Sequence, residues 1–301
     1  VTLKTKLESN RFVMTAEVTP PLSADPQDLL ERAASMKGLA DAVNVTDGAS
    51  ARAHLDSTVA ASILMQNGIE PILQLTCRDR NRIALQSQLV GMSALGLPNL
   101  LVLTGDDPKK GDQPDAKPVF DYDSTQLIAT AAHMRDKGEL PHGRKIGGKL
   151  DYIIGAADAP VDPKPDWAPT SLAKKVAAGA QFAQTQFCMD TDVLRRYLAR
   201  IKEHGLDGKI QFLIGVAPFA SAKSAGFIKN NLFGTIVPDW MVERMENASD
   251  PKAEGRAICV DLIREMSEIP GVAGVHVMAP LNEASIGPVI EAARKAIPRA
   301  N

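Results

Sequence analysis

The chain has 301 residues, of which 45% are hydrophobic and 23% charged, so it can bury one large core. Its formal net charge of -2 is spread along the sequence, which offers neither a basic stripe for nucleic acid nor a polybasic membrane anchor; a small-molecule substrate is the expected partner. The start, Val1-Thr2-Leu3-Lys4, lacks the charged-then-apolar layout of a signal peptide, and no apolar run is long enough to span a bilayer, so a soluble cytoplasmic protein is expected. Cys77, Cys188 and Cys259 are widely spaced, without a Cys-x-x-Cys pair, and read as free thiols with neither structural zinc nor a disulfide framework.

Apolar, β-branched runs alternate with segments of helical period, which predicts parallel strands joined by crossover helices. The first strand, Phe12–Val18, carries Glu17 shortly before Pro20-Pro21; a carboxylate there, with a double proline that stops the sheet, marks the strand's carboxyl end. Asp25-Pro26 opens a helix. Strand 2 is Ala42–Thr46, and Asp56-Ser57 begins a helix that ends at Asn67-Gly68. Strand 3, Glu70–Thr76, is followed by a helix over Arg82–Leu95 that stops at Gly96, and strand 4 is Asn99–Thr104. The loop Gly105–Asp123, rich in Asp, Lys, Pro and Gly, is too long for a plain connection and is a candidate lid. A helix over Ser124–Lys137, strand 5 at Leu150–Ala156, a helix at Ser171–Ala178 and strand 6 at Phe182–Phe187 come next. A helix over Asp192–His204, strand 7 at Ile210–Val216 and a helix over Ser221–Asn230 follow. Pro238–Ile269 is an insertion with an amphipathic segment at Ala253–Ile269, before strand 8 at Gly274–Met278 and a closing helix at Glu283–Ile297. Eight strands with eight following helices predict a single (β/α)8 TIM barrel over residues 1–301, with extra helices before the last strand.

In such a barrel Glu17, Thr46, Asp47, Gln74, Thr76, Asp106, Asp158, Gln186 and Asn282 converge on the carboxyl-end face. Carboxylates beside amides suit a polar, planar heterocycle, because amides match mixed donor and acceptor edges and a carboxylate holds an amino-imino group bidentately. Asp47, Asp79 and Asp107 read equally as helix caps or turn residues, and Gln186 needs a buried partner that is either a ligand or a neighbouring side chain. His276 lies within strand 8 and reads as a satisfied barrel residue, while the other histidines fall in helices or loops. No P-loop and no strand-linked Gly-x-Gly-x-x-Gly is present, so a redox cofactor has to bind the barrel itself. Lys174-Lys175 reads as phosphate binding or as a solvated face.

Five motifs at successive strand ends carry a family resemblance. Ala16-Glu17-Val18-Thr19-Pro20-Pro21, Val45-Thr46-Asp47-Gly48, Gln74-Leu75-Thr76-Cys77-Arg78-Asp79, Leu103-Thr104-Gly105-Asp106 and Thr185-Gln186-Phe187 together resemble the methylenetetrahydrofolate reductase family, in the family's order and over nearly the whole chain. The stretch Cys77–Gln86 and the loop Gly105–Asp123 resemble the short bacterial branch without a regulatory extension.

The resemblance implies a flavin, FAD or alternatively FMN, across the carboxyl end. It also implies two half-reactions in ping-pong order: NAD(P)H reduces the flavin and leaves, and methylenetetrahydrofolate then takes the same face and becomes 5-methyltetrahydrofolate. Glu17 matches the acid that assists opening of the methylene bridge, and Asp106 the aspartate beside the flavin. Gln186 matches the substrate glutamine, with Phe219 and Asn282 as further substrate contacts. Thr46, Gln74, Thr76, Asp106, Asp158 and Lys175 fall on the cofactor side. The resemblance also implies a homo-oligomer, with an additional redox or methyl-transfer subunit as an option. A folate-binding methyltransferase or methyl-transfer component is the competing reading. The chain departs from the family pattern at Thr104, where many members have arginine, at Ala156 and Ala157 in place of a tyrosine-containing segment, and at Glu283 in place of arginine. Arg80 or Arg82 is the candidate replacement for the missing positive charge.

Overall fold

The computed structural model describes residues 1–297. Eight parallel strands close into a barrel in sequence order, the predicted (β/α)8 architecture: β1 (Val13–Val18), β2 (Ala42–Val45), β3 (Pro71–Thr76), β4 (Asn99–Leu103), β5 (Ile153–Asp158), β6 (Phe182–Phe187), β7 (Gln211–Val216) and β8 (Val272–Val277). Around it lie α1 (Leu3–Glu8), α2 (Pro26–Ala33), α3 (Ser57–Gln66), α4 (Arg82–Ala94), α5 (Ser124–Lys137), α6 (Thr170–Ala177), α7 (Thr191–Glu203), α8 (Ala222–Asn231), α9 (Asp239–Glu246), α10 (Pro251–Met266) and α11 (Ile286–Ala296). The predicted insertion before the last strand is the pair α9 and α10. None of the described helices is long and apolar enough to cross a membrane.

Helix starts follow their caps. Asp25 accepts from Gln27 N ahead of Pro26, Asp56 accepts from Thr58 N and Val59 N, and Asp123 forms a reciprocal capping box with Gln126, so each end satisfies amide groups the helix leaves unpaired. Two elements differ from expectation. Helix α1 is too short for its periodicity to stand out, yet Leu3 and Leu7 are buried in the floor of the barrel. Strand β5 starts later than predicted: Leu150 and Tyr152 are buried but precede the strand, the Tyr152 hydroxyl donates to Ala131 O, and the shift carries Asp158 into the sheet.

Strand side chains alternate between two separate apolar clusters. Met14, Ala16 and Val18 of β1, with their counterparts on other strands, pack outward against the helices. Val13, Ala42, Ile72, Leu101, Ile153, Phe182 and Leu213 fill the interior at the strand starts and meet α1. Above this floor the interior changes character. Two residues further along their strands come Thr15, Asn44, Gln74 and Gln184, with His276 of β8, all buried and polar. One more step of two brings Glu17, Thr46, Thr76 and Gln186 to the mouth. The fold therefore stacks an apolar floor, a polar middle and a polar rim.

Between β6 and β7 the register slips by one residue, since Gln184 pairs with Leu213 but Phe187 pairs with Gly215. This bulge lies at Thr185 and Gln186, beside the mouth. Thr185 Oγ1 braces it by accepting from Gly215 N at 2.9 Å. A Cβ on Gly215 would lie 2.4 Å from Thr185 O and 2.7 Å from Gln186 O, contacts that only backbone movement could relieve. Gly215→Ala is thus expected to lower stability by about 1–3 kcal/mol. Urea denaturation checks this; an unchanged midpoint would mean the bulge yields freely.

Candidate active site

Glu17 stands at the mouth on β1, its side chain 20% exposed. Gln74 Nε2 of β3 donates to its Oε2 at 2.9 Å, and His276 Nε2 of β8 lies 3.6 Å from the same oxygen. Three strands far apart in sequence thus converge on one carboxylate. Parallel pairing places β1 between β2 and β8, which is what brings His276 alongside.

Beneath Glu17 the polar layer is internally paired. Asn44 Nδ2 donates to Gln184 Oε1 at 2.6 Å, and Gln184 Nε2 donates back to Asn44 Oδ1 at 3.0 Å. Gln184 Nε2 also reaches Thr15 Oγ1 at 3.1 Å and His276 Nδ1 at 3.3 Å, while Thr15 Oγ1 lies 3.0 Å from His276 Nδ1. Burying this many polar atoms is tolerable only because they satisfy one another.

A second cluster lies beside the mouth, on the ends of β2 and β3. Asp47 is not a helix cap. Its carboxylate accepts from Thr76 N (2.8 Å), Thr76 Oγ1 (2.9 Å), Ser57 Oγ (3.2 Å) and both terminal nitrogens of Arg80 (2.7 and 3.0 Å). Arg78 pairs bidentately with Asp79 and donates to Gly48 O. Together with Arg52, His54 and Gln113 these groups line a cavity of about 330 Å³. A larger cavity, about 620 Å³, lies among the strand starts near Phe12 and Gln211 and contains none of the predicted site residues.

Asp106 is on the loop after β4, and its Oδ2 accepts from Ser50 N at 2.9 Å. Ser50 and its neighbour Ala51 both have positive φ, 57° and 54°, a strained conformation for residues other than glycine. Gly111 packs where a Cβ would sit 2.0 Å from Ala51 O. At its far end the same loop is tied by Val119 N donating to Arg78 O and by Arg82 on Asp121, whose bonds hold the Asp121 carboxyl down at about 2. Residues 112–118 between these ties are exposed. Arg82 is therefore engaged at the loop, stacked 5.1 Å from the Tyr122 ring centroid, whereas Arg80 lines the cavity.

The remaining predicted residues divide. Thr46 is buried at the rim with its Oγ1 lacking any hydrogen-bond partner. Thr76 bonds Asp47, and Gln186 folds its Oε1 back onto Phe187 N at 3.0 Å. Asp158 lies on the outer side of β5, where Tyr197 of α7 donates to it; desolvation pushes its carboxyl up. Lys175 of α6 donates to Ala157 O at 2.6 Å, and burial pushes its ammonium down. Lys175 is half-buried against the strand end, so it is not part of a solvated face. Phe219 is buried edge-on against Phe187 in the layer between sheet and helices, with ring centroids 6.0 Å apart, and does not face the interior. Asn282 leads into a short 3-10 turn and donates to Ser285 Oγ at 3.0 Å, an arrangement of the turn rather than of the mouth. The cysteines are free and buried, and desolvation pushes the Cys77 and Cys188 thiols up to about 12, far from nucleophilic range.

Thr15, Asn44, Gln184 and His276 complete the interior network without having been singled out as a set. Their signal was present: Thr15, Asn44 and Gln184 each precede a predicted site residue by two, the spacing that returns a strand side chain to the same face.

A family model described as methylenetetrahydrofolate reductase matches residues 2–294. The 5,10-methylenetetrahydrofolate reductase of Pectobacterium carotovorum subsp. carotovorum is 27% identical over 286 residues, covering 88% of this chain and 85% of the relative. The Escherichia coli (strain K12) protein of the same name is 25% identical over 276 residues, covering 86% and 83%. Methylenetetrahydrofolate reductase (NADH) 1 of Arabidopsis thaliana is 24% identical over 288 residues, which are 91% of this chain but 47% of the plant protein. Among solved structures, an uncharacterized protein from Clostridium thermocellum that binds two copies of 5-methyl-5,6,7,8-tetrahydrofolic acid superposes with a TM-score of 0.69 at 13% identity, over 97% of this chain and 99% of that one, a likeness of fold. With the family pattern matched across the whole barrel and its strand-end motifs gathered at one mouth, the chain belongs to the methylenetetrahydrofolate reductase family.

Proposed function

We propose that this chain is a single catalytic barrel that reduces 5,10-methylenetetrahydrofolate to 5-methyltetrahydrofolate with NAD(P)H, the two substrates using one face in turn. The observation that carries this reading is Glu17, a carboxylate held at the barrel mouth by Gln74 and open on its other oxygen. A proton delivered from Glu17 to one bridge nitrogen lets the methylene carbon–nitrogen bond break, its electron pair going to that nitrogen. The lone pair of the other bridge nitrogen then closes an iminium, whose carbon accepts hydride. Asp106 at the rim places negative charge where this cation forms, and Gln186 offers an amide to each substrate.

The ring end of a flavin fits the mouth: Thr46 Oγ1 is a buried hydroxyl without a partner, Gln74 and Thr76 stand beside it, and the Arg78–Arg80 cavity adjoins it. FAD is the proposed form, with FMN the alternative, and when bound it supplies the two-electron store between the substrates. Lys175 is engaged by Ala157 O, so its part on the cofactor's phosphate side requires that bond to exchange.

Gln186→Ala tests the shared face. Loss of a buried amide contact costs about 1–3 kcal/mol, so affinity for NADH and for the folate should each fall roughly 5- to 150-fold. Separate titrations of wild type and variant decide it. NADH binding left unchanged would remove Gln186 from a shared face.

A further inference from the structure

We propose that His276 is the positioning residue of Glu17: clamped from below, it presents Nε2–H to one carboxylate oxygen and thereby dedicates the other oxygen to proton transfer. This rests on the reading of Glu17 as the acid.

A histidine that is 3% exposed inside a barrel is commonly just a packed residue, but here both ring nitrogens have defined neighbours. Nδ1 faces Gln184 Nε2 at 3.3 Å and Thr15 Oγ1 at 3.0 Å. The two protons of Gln184 Nε2 go to Asn44 Oδ1 and Thr15 Oγ1, and in this assignment the Thr15 hydroxyl, whose other acceptor is Val275 O at 3.3 Å, donates to Nδ1, so that the ring proton resides on Nε2, facing the Glu17 carboxylate. Gln184 is held in place in turn by its two-way amide pair with Asn44. Nε2 then stands 3.6 Å from Glu17 Oε2, a separation that shortens to a charge-assisted hydrogen bond once the carboxylate is ionised.

Gln74 donates to the same Oε2 at 2.9 Å. Both donors therefore serve one oxygen, and Oε1 has no protein partner among the described residues, which suits it to carry the proton that is transferred. Of the groups the neighbouring strands turn toward Glu17, His276 of β8 is the titratable one; β2, β3 and β6 present Asn44, Thr46, Gln74, Gln184 and Gln186, and Asp106 stands on the loop after β4.

The test follows the folate-dependent step across pH by stopped flow in His276→Leu, His276→Gln, Thr15→Val and Glu17→Gln. In the wild type the step should fall off at high pH as the acid loses its proton. His276→Leu removes a donor to the anion, so the fall-off should move to higher pH by roughly one unit, the tenfold that one hydrogen bond to a charged group represents. His276→Gln, which keeps a donor, should restore it, and Thr15→Val should give a smaller shift in the same direction. A fall-off at the wild-type pH in both His276→Leu and Thr15→Val, with only the rate reduced, would overturn the proposal. Glu17→Gln separates the two claims: if it keeps the rate and the fall-off, Glu17 is not the acid and His276 loses its role with it. If Glu17→Gln abolishes the fall-off while His276→Leu leaves it in place, only the His276 assignment fails. Should His276→Leu not fold, the ¹⁵N spectrum of histidine-labelled wild type decides, since Nε2 protonation of His276 is expected and an Nδ1–H tautomer contradicts the clamp.

Discussion

Glu17→Gln should leave NAD(P)H-driven bleaching of the flavin intact while slowing folate turnover by roughly 10²–10⁴-fold, the usual effect of losing a general acid. The structural basis is that glutamine retains an acceptor for Gln74 Nε2, so the rim keeps its geometry and only the transferable proton is lost. In the proposed ping-pong order the nicotinamide half-reaction needs no proton at the bridge nitrogen. Stopped-flow measurement of each half-reaction separates the two, and equal slowing of both would take Glu17 out of the acid role.

The largest stability effect should come from Asp47→Ala. The Asp47 side chain is 6% exposed and takes five hydrogen bonds, two of them from Arg80, which is itself 18% exposed. Truncation leaves the Thr76 amide without its partner and the guanidinium with only the half-exposed Asp56, 3.8 Å away, and breaking a buried pair from one side costs about 3–5 kcal/mol. Because Arg80 retains some access to water, the lower end of that range is expected. Asp47→Asn, which keeps one acceptor oxygen, should lose less. Urea unfolding measures both; a loss under about 1 kcal/mol for the alanine variant would mean that Arg80 readily finds solvent.

Much of the site was legible because strand geometry is periodic. Glu17 and Gln186 were recognisable as polar residues ending apolar strands, and the same period explains why Thr15, Asn44 and Gln184 lie directly beneath the rim. Three of the candidate residues pack away from the mouth for separate physical reasons. Asp158 was read as lying past its strand because Leu150 and Tyr152 mimic strand residues while packing in the helix layer; the true start at Ile153 puts the aspartate on the outer side with Tyr197. Phe219 follows β7, where the alternation has ended and nothing in the sequence separates inward from outward, and it packs on Phe187. Asn282 three residues before Ser285 is turn chemistry as readily as ligand chemistry, and the turn takes it. Asp47 shows the opposite case. A caplike aspartate proved to be the centre of an ion-pair cluster, because its partner Arg80 comes from the next strand's loop.

The most direct test is a product assay. Purified protein, supplied with flavin, should convert 5,10-methylenetetrahydrofolate to 5-methyltetrahydrofolate under anaerobic conditions, with one NADH or NADPH oxidised per folate, and Glu17→Gln should form little product in the same time. Nicotinamide oxidation that leaves the folate unchanged, or equal product from wild type and Glu17→Gln, would contradict the account.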